Sequence, residues 1–430
     1  MTPLPSVAGI PVDFILFALV LAGVAIFHHH TLRVAVIGLA VIALYKLAFT
    51  DFAGVPGFAG LGRHLVHEWV TIANLFLLLV GFALLSKHFE DSQVPAILPK
   101  FLPDDWKGGF VMLLLVFVLS SFLDNIAAAM IGGTMAMGLF RGKVHVGFLA
   151  AIVAASNASG SGSVVGDTTT TMMWIDGVPP AKVFDAYVAA LPALLFFAVI
   201  AARQQDALQR IVKDAPAGVR VEWPRLAIVV VILGCAIGSN VFFNLRHPEV
   251  LAHVPVIGIA VWVAIALTAA WRRPDWSLVP PAVLGSIFLL SLVLCASMMP
   301  VQHLPAASWQ TAFGLGFVSA VFDNIPLTAL ALRQGGYDWG FLAYAVGFGG
   351  SMIWFGSSAG VALASMYPQA RSVASWVRHG WHIAVGYVLG FGVMLALLGW
   401  HPDPAHQRAR PASPAAGAVP VQPASQGVTR

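Results

Sequence analysis

Aspartate and asparagine stand side by side twice in this chain, as Asp124-Asn125 and Asp323-Asn324, each time inside a long apolar stretch. A third acid, Asp167, lies in Gly166-Asp167-Thr168-Thr169-Thr170-Thr171, and the counterpart segment further on is Gly356-Ser357-Ser358-Ala359-Gly360, without an acid. An Asp at the centre of a membrane-inserted helix costs about 2.5–3.5 kcal/mol, so such a residue marks a pathway or a site. Carboxylates, amides and hydroxyls are the oxygen ligands that suit a hard cation, and a carboxylate also accepts a proton. The candidate ion-binding set is Asp124, Asn125, Asp167, Thr168, Thr169, Asp323, Asn324, Ser357 and Ser358, with Asn157, Ser161 and Ser163 as weaker members. Asp124, Asp167 and Asp323 are the candidate ligands of a transported sodium ion. Each Asp is also a good N-cap for the helix expected after it, a role compatible with ion binding. The threonine hydroxyls have an ordinary alternative too, bonding to their own helix backbone.

The elements that must position these residues are membrane helices. Of 430 residues, 59% are apolar and 10% are Asp, Glu, Lys or Arg, far below the charged quarter of an average soluble domain. Apolar runs recur at Pro11 to Phe27, Arg33 to Phe49, Trp69 to Ser86, Gly147 to Trp174 and Val183 to Ala201, and again at Arg225 to Phe243, His253 to Trp271, Leu278 to Met299, Gly340 to Tyr367 and Ile383 to Trp400. Runs of this length approach a hydrocarbon core about 30 Å thick, and they lack the alternation of barrel strands. The first run has no basic leader and reads as a retained span rather than a signal peptide.

Two further apolar segments are split by the Asp-Asn pairs. The arms Gly109 to Leu123 and Ile126 to Phe140 are too short to cross, at roughly 22 Å each, and the second pair is shorter still. Both segments are expected to be re-entrant hairpins with tips near mid-membrane. Each is followed by a run starting Gly-Phe-Leu-Ala (147–150 and 340–343) that then breaks into glycine and serine, as SNASGSGSVVGDTTTT and GFGGSMIWFGSSAG. Such breaks predict discontinuous helices with an unwound middle.

The expected fold is an all-α polytopic membrane protein of two inverted repeats, each with three spans, a hairpin, a broken helix and a closing span. The N-terminal repeat covers 1–201, a cytoplasmic linker 202–224, the C-terminal repeat 225–400, and a disordered tail 401–430. Five crossings per repeat is odd, so the second must enter from the opposite face. Lys and Arg counts agree: fifteen fall on the linker's face and eight on the other, which puts the linker in the cytoplasm and both termini in the periplasm of a bacterial inner membrane.

The remaining residues suggest no other chemistry. The net charge of +4 reflects loop orientation, not nucleic acid binding. Cys235 and Cys295 lie in apolar runs with no metal-ligand spacing and read as packing residues. No nucleophile, base or metal set for a membrane enzyme emerges, and no cofactor is implied. His28, His29, His30, His67 and Glu68 read as interfacial, Lys46 as snorkelling from its helix end, and Asp176, Lys182 and Asp185 as a solvated loop.

The stretches SSFLDNIAAAMIGG, NASGSGSVVGDTTTTMMWI, SAVFDNIPLTALAL and GGSMIWFGSSAG resemble the ion transporter superfamily, above all the NhaD-type sodium/proton antiporters and related arsenite permeases. The resemblance runs from about Glu68 to Trp400. It implies scaffold and transport parts in each half, an elevator-like movement, a homodimer, and substrate held at Asp124, Asn125, Asp167, Thr168, Asp323, Asn324, Ser357 and Ser358. One departure stands out: Val164 occupies a position where a proline is expected. The superfamily also contains citrate and dicarboxylate carriers. Three acids would repel a carboxylate-bearing substrate, so sodium or lithium exchange for protons is the leading expectation, with an anion carrier or arsenite permease as the alternative.

Overall fold

A computed structural model describes residues 5–27, 30–52, 54–97, 102–212, 220–251 and 253–403. His28, His29, the linker centre and the tail beyond 403 lie outside the described residues.

The described residues are mainly helical, with a small β-ribbon that pairs Ser6–Val7 with Ile10–Pro11. Helices Val12–Ile26, Thr31–Phe49 and Gly57–Asp91 come first, followed by a short-armed pair, Trp106–Ser120 and Asn125–Leu139, that turns at Asp124. A helix broken between Val146–Gly160 and Thr168–Ile175 follows, and Tyr187–Leu208 closes the stretch. The same order recurs as Trp223–Arg246, Val256–Thr268 and Val279–Ser297, the pair Trp309–Ser319 and Asn324–Gln334, the broken helix Trp339–Gly349 and Ser358–Met366, and Trp381–Leu398.

Among the described residues, six helices are long and apolar enough to cross a membrane: Thr31–Phe49, Gly57–Asp91, Pro180–Leu208, Trp223–Phe243, Trp276–Ser297 and Trp381–Leu398. With the shorter apolar helices they make an all-α polytopic membrane protein. Two of the ten expected spans are shorter than the apolar runs suggested. Val12–Ile26 has 15 residues and Val256–Thr268 has 13, the latter delimited by Pro255, which cannot donate to a preceding turn.

The helices that precede each hairpin form one packed group. Gly57–Asp91 lies against Trp223–Arg246, Val256–Thr268 and Val279–Ser297, while Val279–Ser297 also lies against Thr31–Phe49. Lipid gives helices no hydrophobic reason to associate, so close packing and polar contacts must hold them. Asn74 supplies one contact, its side-chain oxygen accepting from the Gly258 N–H at 3.0 Å, and the Trp262 indole donates to the Leu77 carbonyl at 2.9 Å. Lys46 does not snorkel. It is buried and pairs with fully buried Asp13 at 3.2 Å, its ammonium also lying 5.7 Å from the Phe52 ring centre. The α-helical phase turns Lys46 inward, toward a carboxylate on the neighbouring helix, rather than out to the nearby interface. Cys295 packs in the core as expected, whereas Cys235 is exposed on the outer surface of its helix.

The second group contains both short-armed pairs, both broken helices and the two closing helices, which lie along one another. The arm Asn125–Leu139 packs on Ser358–Met366, and Asn324–Gln334 on Thr168–Ile175 and Val279–Ser297. The shared Gly-Phe-Leu-Ala motif turns out to be one turn out of register. It recurs 193 positions on, whereas Gly160 and Gly350, each packed against the end of its own break, are 190 apart. The discrepancy has a simple cause: 13 positions separate Gly147 from Gly160 but 10 separate Gly340 from Gly350, because the later arm is shorter.

Candidate functional site

Both hairpin turns bring a carboxylate to the start of a helix. The Asp124 side chain accepts from the Ile126 N–H at 3.2 Å, and Asp323 accepts from the Ile325 N–H at 3.0 Å. The broken helices restart in the same way: Asp167 accepts from the Thr169 N–H at 2.9 Å, and Ser357 from the Gly360 N–H at 3.2 Å. All four are N-caps, occupying the place where unpaired amide N–H groups and the helix dipole favour an oxygen ligand.

Matching hydrogen bonds tie each hairpin to its broken helix. Ser120 donates to the Ser156 carbonyl at 2.7 Å, and Ser319 donates to the Val346 carbonyl, also at 2.7 Å. The breaks can approach the hairpins this closely only as glycine: a Cβ on Gly166 would strike the Ser120 carbonyl, and one on Gly356 would strike that of Ala320.

The chemistry centres on Asp167, which is 2% exposed. One oxygen accepts from both the N–H and the hydroxyl of Thr169, at 2.9 and 3.0 Å. The other accepts from the amide nitrogens of Asn125 at 3.0 Å and Asn324 at 3.4 Å. One asparagine from each hairpin thus converges on a single carboxylate oxygen. Among the described residues no Lys, Arg or His pairs with Asp124, Asp167 or Asp323.

A cavity of about 290 Å³ borders this cluster. Asp124, Asn125, Asp167, Thr168 and Asn324 line one side of it. Residues 75–86 of Gly57–Asp91 and 282–289 of Val279–Ser297 supply the facing, mostly apolar wall. Asp323 lies elsewhere. It borders a second cavity of about 270 Å³, with Phe288, Phe322 and Phe355 among its walls, and accepts from the Ser358 hydroxyl at 3.3 Å. Ser358 and Ile126 line both spaces. Asp124 and Asp167 thus border one space and Asp323 another, and among the described residues no group of three acids, histidines or cysteines is placed to hold one metal ion.

Several candidates border neither of these two cavities. Ser357 and Asn157 are buried behind the site, with the Asn157 amide donating to Ser351 and Ser357 at 3.0 Å each. Thr169 holds Asp167. Thr170 and Thr171 donate to the carbonyls of Ser163 and Val164, and Ser161 and Ser163 donate to those of Ala158 and Ser121, so these hydroxyls serve the fold of the break, although Thr171 also borders the first cavity. Ser351 was not singled out by its sequence, although it stands 190 positions after Ser161. Glu68 pairs with Arg333 at 2.9 Å, and Lys182 with Asp403 at 3.5 Å, so neither is merely an interfacial or solvated charge.

The fold and this buried acid–amide cluster together define a polytopic helical membrane protein whose polar centre is enclosed by two broken helices and two hairpins. No family model matches the chain. It is 26% identical over 375 residues to Sodium/proton antiporter 1 of Arabidopsis thaliana, covering 75% of this chain but 59% of that protein. It is 26% identical to the Na(+)/H(+) antiporter NhaD of Vibrio cholerae over 334 residues and to that of Alkalimonas amylolytica over 348, spanning 69% of each. These likenesses, carried over most of the chain, support an NhaD-type ion transporter family.

Proposed function

We propose that the protein is a secondary active transporter, not an enzyme, that exchanges sodium or lithium for protons across the inner membrane, with Asp167 at the centre of the exchange. The observation that carries this reading is the convergence of Asn125 and Asn324 on one oxygen of a buried carboxylate beside a cavity that Asp124 also faces. A cation and a proton compete for the same carboxylate oxygens, and whichever binds displaces the other, which is the minimum requirement for exchange. Thr168 and the side-chain oxygens of the two asparagines would complete a hard-cation shell. The names of the relatives, sodium/proton antiporters of plants and bacteria, support the same substrates. No Lys or Arg lines the cavity, so the anion alternative gains nothing from the site, because a carboxylate substrate would meet two acids without a counter-charge.

Asp323 belongs to the mechanism in a different position, beside its own cavity with Ser358. The two similar stretches are read as inverted repeats over 1–201 and 225–400. The linker then lies in the cytoplasm, the termini in the periplasm, and the cavity, which borders the Asp91-proximal part of its long helix, lies toward the cytoplasm. The helix group built on Gly57–Asp91 and Val279–Ser297 acts as scaffold, the hairpins and broken helices move against it, and two copies assemble as a dimer.

The deciding experiment is transport by proteoliposomes with an acidic lumen. External sodium or lithium is expected to drive proton efflux, while citrate and arsenite do not. Accumulation of labelled citrate or arsenite, without sodium-driven proton movement, would overturn the proposal.

A further inference from the structure

We infer that Asn157 is a positioning residue: it joins the second broken helix to the Asn125 amide that lies on Asp167, and cation loading reverses the chain of hydrogen bonds running through it. The inference rests on the proposed cation site at Asp167.

Asn157 is fully buried in Val146–Gly160 and borders neither cavity. Its oxygen accepts from the Asn125 nitrogen at 3.0 Å, and that nitrogen also donates to Asp167 at 3.0 Å. Its own nitrogen donates to the hydroxyls of Ser351 and Ser357, 194 and 200 residues away, at the two ends of the later break. With Asp167 ionised, the direction of its link to Asn125 is fixed. An Asn125 oxygen turned toward Asp167 would face the carboxylate with lone pair against lone pair, so the amide must present its N–H groups there. Those groups occupy the oxygen that a cation needs.

For Asn125 to become a ligand, its amide must turn its oxygen toward the ion. That turn places the Asn125 oxygen against the Asn157 oxygen, unless Asn157 turns as well. Asn157 can turn at little cost, because its other partners are hydroxyls, which exchange donor for acceptor by rotating. The reversal therefore passes from Asp167 through two amides to Ser351 and to Ser357, the cap of Ser358–Met366. Cation binding at one break is thereby registered at the other, which has no carboxylate of its own. A fully satisfied buried network of this kind is strong only when every member is present.

The test is the split between KM and kcat for sodium in proteoliposomes. Asn157→Leu keeps the volume but removes both links, and is expected to raise the sodium KM about tenfold, the effect of one buried hydrogen bond, with a smaller change in kcat. Ser351→Ala, a small change remote from both cavities, is expected to raise KM in the same direction by about two- to threefold. Ser120→Ala removes a mechanical tie between the first hairpin and the same broken helix, Ser120 to the Ser156 carbonyl, without touching the amide chain, and its KM should match the unmodified protein. Equal KM in the unmodified protein, Ser351→Ala and Asn157→Leu would overturn the inference, as would a rise for Ser120→Ala as large as that for Ser351→Ala. Should Asn157→Leu fail to insert, Ser351→Ala decides alone. If the unmodified protein itself shows no sodium-dependent transport, the proposed function fails, and that result is distinct from a failure of the inference.

Discussion

Two carboxylates are buried among these helices in opposite ways. Asp13, in the helix group built on Gly57–Asp91, is matched by a full positive charge on Lys46 at 3.2 Å. Asp167, among the broken helices, has only neutral donors: the N–H and hydroxyl of Thr169 and the amides of Asn125 and Asn324. A carboxylate whose counter-charge is built in has no need of an ion and serves the fold. One surrounded by dipoles alone leaves its charge to be balanced by something that can come and go, a proton or a metal cation. On the proposed function, the difference between a structural and a transporting acid lies in the partner, not in the degree of burial.

The largest effect expected from this comparison is at Asp167. Asp167→Asn preserves the shape of the site and removes the charge, and sodium-driven proton movement should fall by at least about a hundredfold, the magnitude of losing a charged ligand worth ~3 kcal/mol, with insertion unchanged. Asp13→Asn with Lys46→Met in the same chain removes the other charge pair and should leave transport per inserted molecule near that of the unmodified protein. Proteoliposome transport rates, normalised to inserted protein, compare the two directly. Equal loss in both would erase the distinction.

A second effect appears in stability. Lys46→Met alone strands a buried charge and should destabilise the protein by about 3–5 kcal/mol, seen as a lowered thermal midpoint in detergent. Adding Asp13→Asn should recover most of that loss, since an absent pair is far less harmful than half of one. No recovery would mean that Lys46 acts through its packing on Phe52, not through Asp13.

The acids of the site were legible from sequence because charge is conspicuous in an apolar run, and the repeated Asp-Asn pair pointed to the hairpin tips. Their separation into two cavities was not legible. It depends on how Asn125–Leu139 and Asn324–Gln334 lie against Ser358–Met366 and Thr168–Ile175, which the spacing of Asp124, Asp167 and Asp323 along the chain does not report. Asn157 is a weaker candidate ligand from its place beside the glycine- and serine-rich break, yet two of its three partners, Ser351 and Ser357, lie about two hundred residues away in sequence, a distance that local patterning cannot bridge. The pairing of Lys46, expected to snorkel, with Asp13 is illegible for a similar reason: each sits near the end of an apolar run, where interfacial exposure is the ordinary outcome, and only the mutual rotation of the two helices turns them together. The order of helices, hairpins and breaks, by contrast, follows from run length and from glycine and serine content, both local properties.

The central claim is that sodium and protons compete at Asp167. The most direct measurement is the sodium KM of the unmodified protein in proteoliposomes across a series of pH values set equal on both sides. Competition requires that KM rise as pH falls, approaching about tenfold per pH unit once the carboxylate is mostly protonated, with kcat at saturating sodium changing less than KM. A sodium KM that stays constant while transport continues across the working pH range would contradict competition at Asp167.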